Sequence, residues 1–555
     1  MTHNNINKSL TYKWIRCIAI FILTSVLQSC SSTDDPPNIE PKLSIKEATD
    51  ITRNEATIGV EIIRQGNSNV DFIRFRYGTS ETTEMSTADI KPSADAVSFK
   101  LSGLKPGTKY YYCAEGGTHS ATLRSEVRNF TTVPNERPTV SSATPLSVGP
   151  VGVIVGFELI EDGGEKIIEA GCEIQNISTG EKHREYLDSE SLGIGRKQIY
   201  FNRLTPEMEY LIAPFASNTV GETLGESLSF KTSNSVRLEN PGDLPFLYGS
   251  SQQMDIEKIS ISGKMNGTDF HFLRRMLLAP YLQGEEPLGI RVSEVDITDV
   301  KILEGGESFD GSRFTQDDEI STGLFAECIG LKAISLPASA KRIGRNAFEG
   351  CSGIKEIVIP AGITEMLPSS DCIALEAINV SDANSNYKSI DGVLFNNDAS
   401  EILWFPMGKK GEYTLPSSVL EIGENAFRET SITSLILPPE LKSIARGAFS
   451  GSELMEISFP DNLTNISEGL LQDCSKLQIV RLGTGVEFIG NYAFDGSPLK
   501  DLYIKAEFPP FASENTFANK THNLFENCVL HVPAASLQIY RNHLKWGKFN
   551  SIKSF

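Results

Sequence analysis

Between residues 323 and 504 the apolar positions return with a fixed period. One unit reads Leu331, Ile334, Leu336-Pro337, Ile343-Gly344, Ala347-Phe348, Cys351. The order recurs as Leu415-Pro416, Ile422-Gly423, Ala426-Phe427 and as Leu437-Pro438, Ile444, Ala448-Phe449. Leu415 and Leu437 stand 22 residues apart, as do Phe427 and Phe449. A period of roughly 20–29 residues marks a solenoid, because a unit so small buries its apolar face only against the next unit. The pattern LxxIxL predicts short strands at 331–336, 354–359, 375–380, 432–437, 454–459, 477–482 and 499–504. The Pro after several of them ends the strand, since it donates no ladder hydrogen bond. Strand side chains alternate, so the residues flanking the central apolar one face outward.

The period breaks once. Asn384-Ser385-Asn386-Tyr387 leads through Asp391-Gly392 to Val393-Leu394-Phe395, then to Leu403-Trp404-Phe405-Pro406. Asp-Gly between apolar runs predicts a hairpin. Trp404 reads first as core packing and alternatively as an exposed ligand platform. Ahead of the array, 259–263 predicts a strand. Asn266-Gly267-Thr268-Asp269 predicts a turn with a helix cap, and Phe270, Leu273, Leu277 and Leu278 share one face of the helix that follows. Beyond Phe508 the chain is aromatic-rich and leaves the register, as a terminal cap should.

Upstream the pattern changes to period two. Thr57-Ile58-Gly59-Val60-Glu61-Ile62 and Asp71-Phe72-Ile73-Arg74-Phe75 alternate and predict half-buried strands. Leu104-Lys105-Pro106-Gly107-Thr108-Lys109-Tyr110 and the closing Phe130-Thr131-Thr132 have counterparts in Leu204-Thr205-Pro206-Glu207-Met208-Glu209-Tyr210 and Phe230-Lys231-Thr232. These stretches resemble fibronectin type III domains. The resemblance implies two all-β immunoglobulin-like sandwiches at 42–133 and 138–233, each with a tyrosine corner. They are expected to serve as a stalk.

The repeats, the broken unit and the aromatic end resemble BspA-type leucine-rich repeat proteins over roughly 240–555. That resemblance implies an N-terminal cap at 238–322 and an array with its C-terminal cap at 323–555. The family is associated with adhesion to host matrix proteins and cells. At the start of the chain, Lys8, Lys13 and Arg16 precede an uncharged, largely apolar run at 17–27, too short to span a bilayer. Leu27-Gln28-Ser29-Cys30 resembles the lipobox of bacterial lipoproteins. This implies a signal peptide at 1–29 and lipidation of Cys30. The stretch at 30–41, with Asp34-Asp35-Pro36-Pro37, reads as an acidic tether. It resembles the export signal of Bacteroidota surface lipoproteins, so an outer-membrane, lipid-anchored, surface-exposed location is expected.

Charge and chemistry narrow the function. The formal charge is -20, which repels nucleic acid and anionic bilayers; membrane attachment is expected only through lipid on Cys30. Cys328, Cys351, Cys372 and Cys474 follow the repeat rather than a metal-ligand spacing such as CxxC, and read as small buried hydrophobes in a ladder. None of the seven His has ligand spacing, and no nucleophile elbow, P-loop or dinucleotide fingerprint appears. No enzyme activity, cofactor or metal is expected. Binding is expected on the outward positions of the later strands, where Ile436, Ile479, Arg481 and Tyr503 are of the kind that anchor interfaces, with Trp404 as a further candidate. The reading is an adhesin-like surface lipoprotein taking a protein or glycan ligand. The alternative is a structural or assembly component of an outer-membrane glycan-capture complex.

Overall fold

A computed structural model describes residues 39–65, 68–248, 254–280, 285, 288–518 and 520–555. The leader at 1–29, Cys30 and the tether up to residue 38 lie outside the described residues. The chain forms two compact units, one ending at Asn135 and one beginning at Glu136.

The first unit is an all-β sandwich. One sheet joins Lys42–Ile45, Glu55–Ile63 and Ala96–Ser102; the other is built on Phe72–Gly78 and Lys109–Gly117. Alternation places Ile58, Val60, Ile73, Phe75 and Tyr112 in the core between them. The Tyr110 hydroxyl accepts the Lys105 N–H at 2.9 Å. Thr132 donates its hydroxyl to the Lys105 carbonyl at 2.6 Å and accepts the Thr108 N–H.

The second sandwich repeats these contacts one hundred positions later. Tyr210 accepts the Thr205 N–H at 2.9 Å, and Thr232 donates to the Thr205 carbonyl at 2.8 Å. This sandwich shares a unit with the solenoid. Ile154 joins the same apolar core as Leu244, Leu247 and Phe270. The short helix Leu244–Tyr248 lies so close to the 149–152 turn that a Cβ on Gly152 would stand 2.6 Å from the Phe246 carbonyl oxygen. Pro241-Gly242-Asp243, whose Pro-Gly pair breaks the strand pattern in the sequence, is therefore part of a packed joint.

Asn266 caps the helix Gly267–Met276, and the Asp269 carboxylate accepts the Asn266 N–H at 2.9 Å. The same carboxylate accepts from Gly242 and Leu244, tying the joint to the helix. Buried Arg274 donates to the carbonyls of Gly323 and Leu324 at 3.1 and 2.8 Å, which fixes the helix to the first repeat.

The cap supplies the first strands of the solenoid. Ser235–Leu238, Met254–Met265 and Ile290–Asp296 run parallel and lead into Ala333–Ser335, Glu356–Ile359 and Ala377–Val380. A second parallel ladder of two-residue strands comprises Glu319–Ile320, Arg342–Ile343 and Glu365–Met366. Both ladders are interrupted at the broken unit. Tyr387–Ile390 and Val393–Asn396 form an antiparallel hairpin, with Asp391 and Gly392 both at positive φ. The apolar core divides here into two clusters.

Beyond the break the front sheet continues through Ile432–Ile436, Glu456–Ser458, Ile479–Leu482 and Asp501–Ile504. The C-terminal segment departs from expectation. Val529–Val532 and Ser551–Ser554 stay in parallel register and extend the sheet by two strands. The sequence hides this because the step from Asp501 to its partner Val529 is 28 residues (529 − 501), longer than the 22-residue period. Trp546 seals the end, fully buried, donating its indole N–H to the Pro510 carbonyl at 2.9 Å.

Candidate functional site

The outward row of the front sheet is set by the pairing register. Ser458, Arg481, Tyr503, His531 and Lys553 stand side by side on successive parallel strands. The Arg481 guanidinium lies 5.4 Å from the centre of the Tyr503 ring and pairs with Glu456 at 2.7 Å. The Tyr503 ring stacks on His531 at 4.1 Å, with 9° between planes, and Phe555 tilts against it at 6.0 Å. His531 Nε2 lies 2.7 Å from the Asp501 carboxylate. The result is a half-buried aromatic shelf with a cation at one edge. Aromatic and Arg side chains held in this way keep little conformational freedom to lose on binding.

Of the sequence candidates, the structure brings Arg481 and Tyr503 together. Ile479 points outward beside Glu456 and Asp501. Ile436 is 59% exposed but stands apart, with the strand Glu456–Ser458 lying between its own strand and that of Arg481. Trp404 is a correction. Only 3% of it is exposed, and it packs in the core with Leu394 and Met407, so it is no surface platform. It occupies an inward position of Glu401–Trp404, and the even alternation of that strand carried the information. His531 and Phe555 were missed. His531 holds an alternate, outward position of Val529–Val532; Phe555 follows the last strand and had no periodic signal.

The repeated cysteines are buried and free. Each of three donates its thiol to the carbonyl of the Phe in the preceding turn: Cys351 to Phe325 at 3.0 Å, Cys372 to Phe348 at 3.2 Å, Cys474 to Phe449 at 3.1 Å. Burial pushes the Cys328 and Cys372 thiols up to about 12 and Cys474 up to about 11. A thiol held protonated in this way is a poor nucleophile. Among the described residues, no group of three or more His, Cys, Asp or Glu is placed to hold a metal ion. No helix among them is long and apolar enough to cross a membrane.

A cleft of about 450 Å3 opens where the array breaks. Its lining includes Met366, Leu367, Trp404 and Met407, with Asn346, Glu349, Glu401 and Asn425 around them. Burial, and then the nearby Glu421 carboxylate, raise the pKa of Glu401 above the ordinary carboxylate value.

Short parallel strands, inward Leu and Ile, and a stacked Phe–Cys column define a leucine-rich repeat solenoid. Within the array, residues 318–407 and 405–528 match, in 6 copies, the family described as BspA type Leucine rich repeat region. No curated protein matches the chain. Many solved structures resemble it, among them the following three. A leucine-rich repeat protein from Eubacterium ventriosum is 17% identical, with a TM-score of 0.32, covering 55% of this chain and 90% of that one. The pneumococcal vaccine antigen PcpA is 19% identical, with a TM-score of 0.36, covering 62% and 97%. A leucine-rich cell surface protein from Faecalibacterium prausnitzii is 18% identical, with a TM-score of 0.32, covering 59% and 84%.

Proposed function

We propose that this protein is a non-catalytic, lipid-anchored surface protein whose solenoid binds a protein or glycan ligand on the outer face of its front sheet. The observation that carries the reading is the shelf of Arg481, Tyr503, His531 and Phe555 on adjoining strands. Solenoid sheets offer extended surfaces of this kind, and interface energy concentrates in aromatic and Arg side chains. The BspA-type match agrees with an adhesin-like role. Cys30 is the lipidated anchor in this reading, with the acidic tether directing the protein to the outer face of the outer membrane. The matched corners at Tyr110 and Tyr210 support fibronectin type III sandwiches as spacers.

Deleting residues 323–555 while keeping the N-terminal segment tests the reading. Binding of intact expressing cells to host extracellular matrix should be lost. Survival of that binding would sink the proposal. The second reading, a component of a glycan-capture assembly, would instead be favoured by a stable membrane partner recovered with the intact chain.

A further inference from the structure

The cleft at the array break has a structural cause. Other turns place an Ala-Phe pair in the core, as Ala347-Phe348 and Ala426-Phe427 do. The 368–372 turn carries Ser369-Ser370 there instead, and the Phe348 N–H is received by the Ser369 hydroxyl at 3.1 Å. The Phe column therefore stops at Phe348 and restarts at Phe405, which stacks on Phe427 at 4.8 Å. Backbone bonding stops as well. Neighbouring turns are joined at Phe325–Ala347 and Phe427–Ala448, but among the described residues no backbone hydrogen bond joins 367–372 to 403–408. A void with an unjoined backbone edge is left between two turns.

The void is lined in a way that selects chemistry. Its apolar surface comes from Met366, Leu367, Leu403 and Met407, with Trp404 behind. Carboxylates of Glu349, Glu401, Glu424 and Glu429 accept hydrogen bonds, while Arg345, Arg428 and the two Asn amides donate. An anion would face four carboxylates, and a cation would face two guanidiniums. A hydroxyl both donates and accepts, and so suits a lining of both kinds. The volume of about 450 Å3 lies in the range of roughly 300–1,000 Å3 found for small-molecule sites. We propose that this cleft binds a neutral saccharide unit, its ring against the apolar wall and its hydroxyls on the Asn, Glu and Arg side chains. The site is separate from the sheet face and does not depend on the role given to that face.

Saturation-transfer NMR on the full chain with methyl glycosides of glucose, galactose, mannose and N-acetylglucosamine tests this. At least one should receive saturation from the wild type, and free glucuronate and glucosamine should receive less. Leu367→Trp, which fills the mouth from a side chain 40% exposed, should weaken binding by roughly tenfold, equivalent to about 1.4 kcal/mol. Glu401→Gln and Asn425→Gly provide the test should the Trp variant misfold, and thermal unfolding of each variant controls for stability. Arg481→Glu, on the sheet face, should leave saccharide binding unchanged while reducing matrix binding, so the two readings fail separately. Absence of transfer to all four neutral glycosides, equal transfer to the charged sugars, or transfer indifferent to every folded cleft variant would overturn the proposal.

Discussion

Several turns of the array carry a buried donor that receives no apolar reward for its polarity. The Cys351, Cys372 and Cys474 thiols point at the carbonyl of the Phe in the turn before, and the Ser497 hydroxyl reaches the Leu471 carbonyl in the same way at 2.6 Å. The slot thus asks for a small side chain with a proton to donate. Cys351→Ser should therefore cost little. Cys351→Ala removes the donor to the Phe325 carbonyl and should cost about 1–2 kcal/mol by urea unfolding, the range for a buried hydrogen bond; equal losses in the two variants would show that volume alone matters. Sequence spacing gave the burial of these cysteines but not their donor role, because Ser and Thr in the slot look like ordinary loop residues. A second residue makes a pH-dependent contribution. Burial outweighs three backbone N–H bonds at Asp269 and pushes its pKa up from 3.8 to about 6. The folded value lies above the unfolded one, so the stabilising contribution is complete below about pH 4 and is lost as pH rises through about 6. At about 1.36 kcal/mol per pH unit, the stability of wild type relative to Asp269→Asn should fall by about 2 kcal/mol between pH 4 and pH 7. A constant difference across that range in chemical denaturation would contradict it.

Among the elements, the joint between the second sandwich and the solenoid is the one whose packing was least legible. Pro241-Gly242-Asp243 reads from the sequence as a break, yet Asp269 binds the Gly242 and Leu244 N–H groups and Tyr200 packs on Phe246 at 5.1 Å. The contacts come from residues separated by dozens of positions, which no local pattern records. Gly152→Ala should open this joint, because the added Cβ would lie 2.6 Å from the Phe246 carbonyl oxygen. Overpacking of this kind costs about 1–3 kcal/mol. Hydrogen exchange should show lost protection in Leu244–Tyr248 with the later repeats unchanged; unaltered protection there would mean the joint is looser than the packing indicates. The repeat strands, by contrast, were readable one by one, since each LxxIxL carries its own alternation. The two cap strands Val529–Val532 and Ser551–Ser554 were not, because the step from Asp501 to its partner Val529 is 28 residues (529 − 501), past the 22-residue period that the chain resumes from Val529 to Ser551.

For the whole molecule, both ladders break at the hairpin Tyr387–Asn396 and the core divides there into two clusters, yet backbone hydrogen bonds tie the break together, the Ile378 N–H to the Gly392 carbonyl at 2.7 Å and the Gly408 N–H to the Leu375 carbonyl at 2.8 Å. The break separates two kinds of surface. Before and at it lies a concave, mixed polar cleft. Beyond it the sheet face carries exposed Ile436 and the Arg481–Tyr503–His531–Phe555 shelf. Arg481 and Tyr503 were legible because alternation dictates which side a strand residue faces. Their partners were not, because register between strands is a tertiary property. Trp404 was ambiguous because its size suits both a core and a platform, and packing against Leu394 and Met407 decided for the core. The central claim is that the shelf binds. The direct measurement is surface-plasmon resonance of the full chain over immobilised host extracellular matrix, comparing wild type with Arg481→Glu and Tyr503→Ala. Truncated hot-spot residues cost about 2 kcal/mol or more, so each variant should bind at least roughly thirtyfold more weakly while unfolding at a similar temperature. Wild-type affinity in both folded variants would contradict the account.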